Sequence, residues 1–199
     1  MRFPMPAITG LVAALLLAGC TATVAGIPTA VPGPAPTTAA PPPSPAPGLL
    51  GSPYADTGGR FRITPPAGWR VGTSTTAGIA VLFSPPARAG SFTPGLSVYV
   101  VDSTLPLDGT VTGARSELKG LTSYTSTTDE PITLTDGTPA HLLGGTYRDL
   151  GRGLDLRNLQ LFTVHGGKAF AVTATALDSD WPAQEQRLDA AVASLTFAS

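Results

Sequence analysis

From Arg60 onward, apolar residues recur at every second position in short runs. Phe61 and Ile63 alternate with Arg60, Arg62 and Thr64. Ile79, Val81 and Phe83 alternate with Ala80, Leu82 and Ser84, and Leu96, Val98 and Val100 with Ser97, Tyr99 and Val101. Period two puts one set of side chains on one face of a strand, so these runs predict three β-strands. Between the first two, Pro65-Pro66-Ala67-Gly68 turns the chain into Trp69, whose ring is expected to fold back on the sheet as a structural anchor. The period changes over 109–123. Val111, Ala114, Leu118 and Leu121 fall on one helical face, with Asp108 or Thr110 as the expected N-cap. Gly113 and Gly120 weaken that helix and leave its ends open.

A meander follows. Asp136-Gly137 separates Ile132–Leu134 from Ala140–Leu143 as a two-residue hairpin turn does. Gly151-Arg152-Gly153 separates a strand ending near Leu150 from one beginning at Leu154, and Gly166-Gly167 separates Leu159–His165 from Lys168–Ala176. Phe170, Val172, Ala174 and Ala176 share one face of the last strand. Leu154 and Leu156 are out of phase with Leu159 and Leu161, which predicts a bulge or twist near Asn158. Gly144-Gly145 inside a strand predicts a bulge or the close approach of another backbone, such as a helix over the sheet. A terminal helix is expected with Ser179 or Asp180 as cap, Pro182 in the first turn and Trp181, Leu188, Val192 and Leu195 as its apolar stripe. The fold class is therefore α+β: an antiparallel sheet packed with two amphipathic helices.

The first 55 residues obey a different pattern. After Arg2 the next charged residue is Asp56. Ile8 to Leu17 is an apolar run of about ten residues, the length of a signal-peptide core and too short to span a bilayer as a helix. It ends in Leu17-Ala18-Gly19-Cys20, which matches the bacterial lipobox. Cys20 is the one cysteine of the 199-residue chain. Its thiol is the expected site of lipidation, with cleavage just before it, and two or more acyl chains suffice for stable membrane attachment. Residues 1–19 are thus expected to be a lipoprotein signal peptide. Residues 20–55 are the lipidated Cys and a Pro/Ala/Thr-rich tether, disordered because dense proline and small side chains support no packed core. Its extended reach is roughly 100 Å at ~3.1 Å per residue. Residues 56–199 form the folded domain.

Charge and chemistry narrow the function. A formal net charge of −1 gives no basic surface for nucleic acid, so no nucleic-acid partner is expected. One Cys and two His leave little for a metal site, and no metal or cofactor is expected. No catalytic motif is present: there is no G-x-S-x-G, no H-E-x-x-H and no P-loop. His141 and His165 lie on strands with Asp149 and Asp155 as candidate triad partners, but exposed or capping histidines are the simpler reading. Asp129-Glu130 and Asp178/Asp180 read as solvated carboxylates beside a turn and a helix start. Phe61, Trp69, Phe83 and Tyr147 read as core in preference to a ligand pocket.

The run Phe61-Arg62-Ile63-Thr64-Pro65-Pro66-Ala67-Gly68-Trp69-Arg70 resembles the opening of the LpqN/LpqT family of actinobacterial lipoproteins. So do Thr93-Pro94-Gly95-Leu96-Ser97-Val98, Gly144-Gly145-Thr146-Tyr147 and Gly167–Ala176, in order, over roughly residues 59–197. Gly95 departs from the family, which often has Asn there. The resemblance implies a PsbP-like domain: a central antiparallel sheet with helices packed on it, non-enzymatic and protein-binding. It supplies no catalytic residues. The expectation is a lipoprotein on the extracytoplasmic face of the bacterial cell membrane. Its domain is expected to bind an envelope protein, in lipid export or cell-wall assembly, and the alternative is carriage of a small apolar molecule or lipid. A hydrolase built on a Ser-His-Asp set is the remote third reading. Cys20→Ser is expected to abolish incorporation of labelled fatty acid and release the protein from the membrane; equal labelling of the variant would contradict the anchor.

Overall fold

The computed structural model describes residues 48–87 and 90–197. Strands β1 (Tyr54–Ala55) and β2 (Arg62–Ile63) form a small antiparallel pair. The main sheet has seven strands: β3 (Arg70–Gly72), β4 (Ile79–Ser84), β5 (Gly95–Asp102), β6 (Thr125–Thr133), β7 (Pro139–Asp149), β8 (Leu154–His165) and β9 (Lys168–Leu177). All its pairings are antiparallel and the order is β3-β4-β5-β9-β8-β7-β6. Helix α1 (Leu107–Lys119) carries the chain from β5 in the middle of the sheet to β6 at its edge, and α2 (Trp181–Val192) follows β9 after a 3-10 turn.

The two helices cover opposite faces. Leu159 and Leu161 of β8 belong to a core shared with Trp181, Leu188, Ala191 and Val192 of α2. Phe162, one residue out of phase, packs with Val111, Ala114 and Leu118 of α1. Successive side chains of a strand point to opposite faces, so α1 and α2 lie on opposite sides of the sheet. This corrects the bulge expected near Asn158. Strand β8 pairs without interruption with both neighbours from Leu156 to Thr163. Its two sets of apolar residues are out of phase because they lie on opposite faces of the sheet, and a strand buried on both faces loses simple alternation.

The α2 face is sealed by more than its helix. Phe61, just ahead of β2, and Ile63 within it are 2% and 1% exposed, and Tyr54 meets Phe83 edge-on at 5.5 Å. The C-terminal residues close the remaining side: Thr196 and Arg62 exchange backbone bonds of 2.8 and 2.9 Å, and Phe197 donates its N–H to Asp136 Oδ2 at 2.7 Å. His165 stacks on the Phe197 ring at 4.2 Å. Packing also begins ahead of residue 56, where the charge pattern sets the boundary: Leu50 bridges Pro66 and β1 precedes Asp56. Asp56 is itself buried, because its carboxylate accepts Arg60 Nε and Nη2 at 2.7 and 2.9 Å and the backbone N–H groups of Gly58 and Arg60. A buried carboxylate needs that many donors to persist.

Several local expectations change in detail. Helix α1 begins at Leu107, not 109, with Pro106 at the N-cap and no side-chain cap; Asp108 lies in its first turn and Thr110 Oγ1 donates back to the Pro106 carbonyl. The fixed φ of proline starts the helix without a capping hydroxyl. Neither Ser179 nor Asp180 makes a side-chain cap bond to α2. Strand β6 starts at Thr125, well before Ile132, because it is an edge strand with a largely polar, exposed surface and no periodicity to read. The β6–β7 turn spans three residues: Leu134 N–H bonds the Thr138 carbonyl at 2.9 Å, and Gly137 supplies φ +87°. The Gly166-Gly167 turn has the expected two residues, both at positive φ.

Trp69 is half-buried at the margin of the core, whereas Trp181 is 2% exposed at its centre. Its ring carries the Arg157 guanidinium 4.9 Å from the centroid, and its Nε1 donates to Glu185 Oε1 at 3.2 Å. Trp181→Ala is expected to cost about 3–5 kcal/mol, as for a fully buried tryptophan. Trp69→Ala, at a half-exposed site, is expected to lower the melting temperature by distinctly less. Thermal denaturation of the two variants checks this, and a larger loss for Trp69→Ala would reverse the assignment.

Candidate functional site

The α1 face of the sheet is only partly apolar, and there the molecule has an open cleft of about 290 Å³. Its floor is polar: Asn158 and Gln160 of β8 and, in register beside them, Thr175 and Thr173 of β9. Tyr147 of β7 forms one wall. Helix α1 forms the other side with Ala114, Leu118 and Leu121 just beyond its end, and Glu117 at the rim. Burial pushes the Tyr147 phenol up, so the hydroxyl stays neutral at physiological pH.

Asn158 is the unusual member. It is 4% exposed, and its Oδ1 is buried with no hydrogen-bond partner among the described residues. On one side its register neighbour is Gly145, on the other Thr175. Gly145 must be glycine: a Cβ there would lie 2.4 Å from the Tyr124 ring and 2.6 Å from the Thr125 carbonyl. Tyr124 lies across the strand and donates its hydroxyl to the Gly144 carbonyl at 3.1 Å. The glycine pair therefore marks a close approach, made by an aromatic ring in the α1–β6 turn and not by the helix itself. It also faces a bulge in β6 between Ser126 and Thr128.

Farther along the same face, three charged or polar side chains clamp α1 to the sheet. Asp129 of β6 accepts Arg115 Nε and Nη2 at 2.8 and 2.7 Å, a bidentate fork. His141 of β7 places Nε2 2.7 Å from Asp129 Oδ1 and 3.1 Å from Arg115 Nη2. Asp129 is therefore a bridging group, not the solvated turn carboxylate expected of it. The hydrogen bond from Arg115, and then that from His141, hold its carboxyl well below the usual range.

The expected histidine partners are engaged elsewhere. Asp149 pairs with Arg152 at 2.6 Å and Asp155 with Arg148 at 2.7 Å. His141 meets a guanidinium where a triad places its nucleophile, and His165 stacks on Phe197. Of the aromatic residues weighed for a pocket, Phe61 and Phe83 are core, Trp69 packs at its margin and Tyr147 lines the cleft. Cys20 lies outside the described residues. Among those described there is no cluster of three potential metal ligands. No described helix is long and apolar enough to cross a membrane.

The architecture has solved counterparts. LpqN of Mycobacterium tuberculosis, described as involved in cell envelope biogenesis, superposes with a TM-score of 0.58 at 19% identity, over 73% of this chain and 84% of that one. The cyanobacterial PsbP of Synechocystis sp. PCC 6803 gives 0.54 at 18%, over 76% and 94%. The fold is PsbP-like. PA94 of Pseudomonas aeruginosa, a protein of unknown function, gives 0.54 at 20% identity, over 76% and 99%. At these identities the likeness establishes the LpqN- and PsbP-like fold alone. No family model matches the sequence, and no curated protein does.

Because the native Asp129 carboxyl titrates below its unfolded value of about 3.9, the clamp stabilises fully above that pH, weakens progressively below it, and is lost as pH falls through the lower folded value. Asp129→Asn is expected to be less stable than wild type at pH 7 and to lose less on acidification. Urea midpoints at pH 7 and pH 3 test this, and an equal acid slope in both proteins would show that the clamp carries no linkage.

Proposed function

We propose that this chain is a lipoprotein anchored through Cys20 at the outer face of the bacterial cell membrane, and that its PsbP-like domain is a non-enzymatic module binding another envelope protein. The observation carrying this reading is the order of parts: lipobox, uncharged proline-rich spacer, then a domain whose α2-side core is closed. A spacer of that length is useful to a domain that must reach a partner away from the bilayer. The fold shared with LpqN, a protein of cell envelope biogenesis, supports the compartment. The charged groups of the α1 face support a binding role over catalysis, because Arg115, Asp129 and His141 are spent on one another.

Carriage of a lipid or other small apolar molecule is less well supported. Phe83, Leu96, Val98, Leu161 and Leu188 are completely buried where the sheet meets α2 and its neighbours, so that layer is filled. The cleft on the other face has a floor of amides and hydroxyls, which an acyl chain would leave without hydrogen bonds. Crosslinking in intact cells, with a photoreactive residue placed on the domain surface, is expected to give one saturable envelope-protein adduct. That adduct should fall when Cys20→Ser removes the anchor. Extraction of a stoichiometric apolar ligand with no protein adduct would favour the carrier.

A further inference from the structure

A net charge of −1 conceals a polarity along the chain. Residues 57–101 hold no Asp or Glu, and the arginines of that stretch have one acid ahead of them, Asp56, which is spent on Arg60. From Asp102 onward twelve acids outnumber seven basic residues. The sheet turns this into geometry, because β3 stands at one edge and β6 at the other. Among the described residues, four basic side chains have no ion-pair partner: Arg62, Arg70, Lys119 and Arg187. Three of the four border one segment, residues 64–67. Arg62 precedes it on β2, exposed because Ile63 beside it points into the core. Arg70 follows it, exposed on the edge strand β3. Arg187 stands on α2 one turn before Ala191. The Ser194 hydroxyl ties that turn to the segment, accepting the Thr64 N–H at 2.8 Å and donating to the Ala191 carbonyl at 2.7 Å. The same segment receives the chain that arrives from the proline-rich spacer: Gly51 N–H bonds the Pro65 carbonyl at 2.8 Å, and Ala67 N–H the Leu49 carbonyl at 3.0 Å.

From this placement we infer that the surface around residues 64–67, carrying Arg62, Arg70 and Arg187, seats the domain on anionic phospholipid headgroups of the leaflet that holds Cys20. A guanidinium stays charged at every relevant pH, and its fork matches two phosphate oxygens. Position selects the occupant as much as charge does. The spacer joins the domain at this surface, so this is the face an anchored chain brings to the bilayer without using the reach of its tether. Each cation near an anionic leaflet adds a modest attraction, and tethering holds the domain at high effective concentration beside it. The seat is therefore reversible and leaves the domain free to move out to a partner. The acid-rich β6 side is repelled by the same field and turns away from the lipid. The choice of leaflet rests on the anchored reading proposed above; the charged surface does not.

Cosedimentation with vesicles tests the seat. The full chain carries Cys20→Ser, so no acyl chain contributes, and failure of the anchor shows separately in fatty-acid labelling. The vesicles are phosphatidylcholine alone or its mixture with phosphatidylglycerol. Partition onto the mixed vesicles is expected to exceed that onto phosphatidylcholine and to fall roughly tenfold in Arg62→Gln/Arg70→Gln. Arg62→Lys/Arg70→Lys should keep most of it. Lys119→Gln/Arg152→Gln removes the same charge elsewhere and should leave it nearly unchanged. High salt should erase the difference between the glutamine variants. Both variants at Arg62 and Arg70 should melt with the Cys20→Ser chain, since neither side chain is bonded within the fold. Equal losses in the two glutamine variants would show a response to overall charge and overturn the proposal. Equal partition onto both lipids also overturns it. So does normal vesicle binding by Arg62→Gln/Arg70→Gln with loss of the envelope-protein adduct in cells, which would make this surface a protein interface.

Discussion

Strand β8 must bury both of its faces, and the rest of the domain is arranged around that requirement. Leu159 and Leu161 need an apolar layer on one side, Leu156 and Phe162 on the other. A single helix covers one face only, so the chain places α1 and α2 on opposite sides and keeps β8 and β9 inside the seven-stranded order. The two layers are not equal. The α2 side recruits the β1–β2 pair and the C-terminal residues into one large core. The α1 side has a small cluster, centred on Val111, Ala114, Leu118, Leu143 and Phe162. Hydrophobic stabilisation scales with apolar area removed from water, so α1 is held less by burial than α2.

That inequality explains what else is found on the α1 face. With too few apolar contacts to fix the helix, its position is set by directional interactions: the Arg115–Asp129–His141 clamp at one place and the Tyr124 ring over Gly145 at another. Between them the helix and sheet do not close, and the cleft opens over Asn158 and its threonine neighbours. A weakly buried helix over a polar floor is where a small domain can accommodate a ligand without giving up its core.

The sequence showed local rules well and non-local ones poorly. The Gly166-Gly167 turn, the alternation of β4, β5 and β9, and the α1 stripe Val111, Ala114 and Leu118 follow from periods and turn chemistry that each segment carries by itself. Strand order does not, because it depends on which hydrogen-bonding edges meet. The first half of β6 was hidden by its polar surface. Asn158 was visible only as a break in periodicity and suggested a bulge, when it marked a strand covered on both faces. Asp129 and His141 are twelve residues apart in sequence and meet only because β6 and β7 pair in register, so no local motif announces them.

The unequal covering of β8 is the claim on which this account rests, and native-state amide hydrogen exchange tests it most directly. Amides of β8, β9 and α2 are expected to exchange only through global unfolding, while those of α1 exchange through a cheaper local opening that deepens in Asp129→Asn. Protection of α1 equal to that of α2, unchanged in the variant, would contradict it.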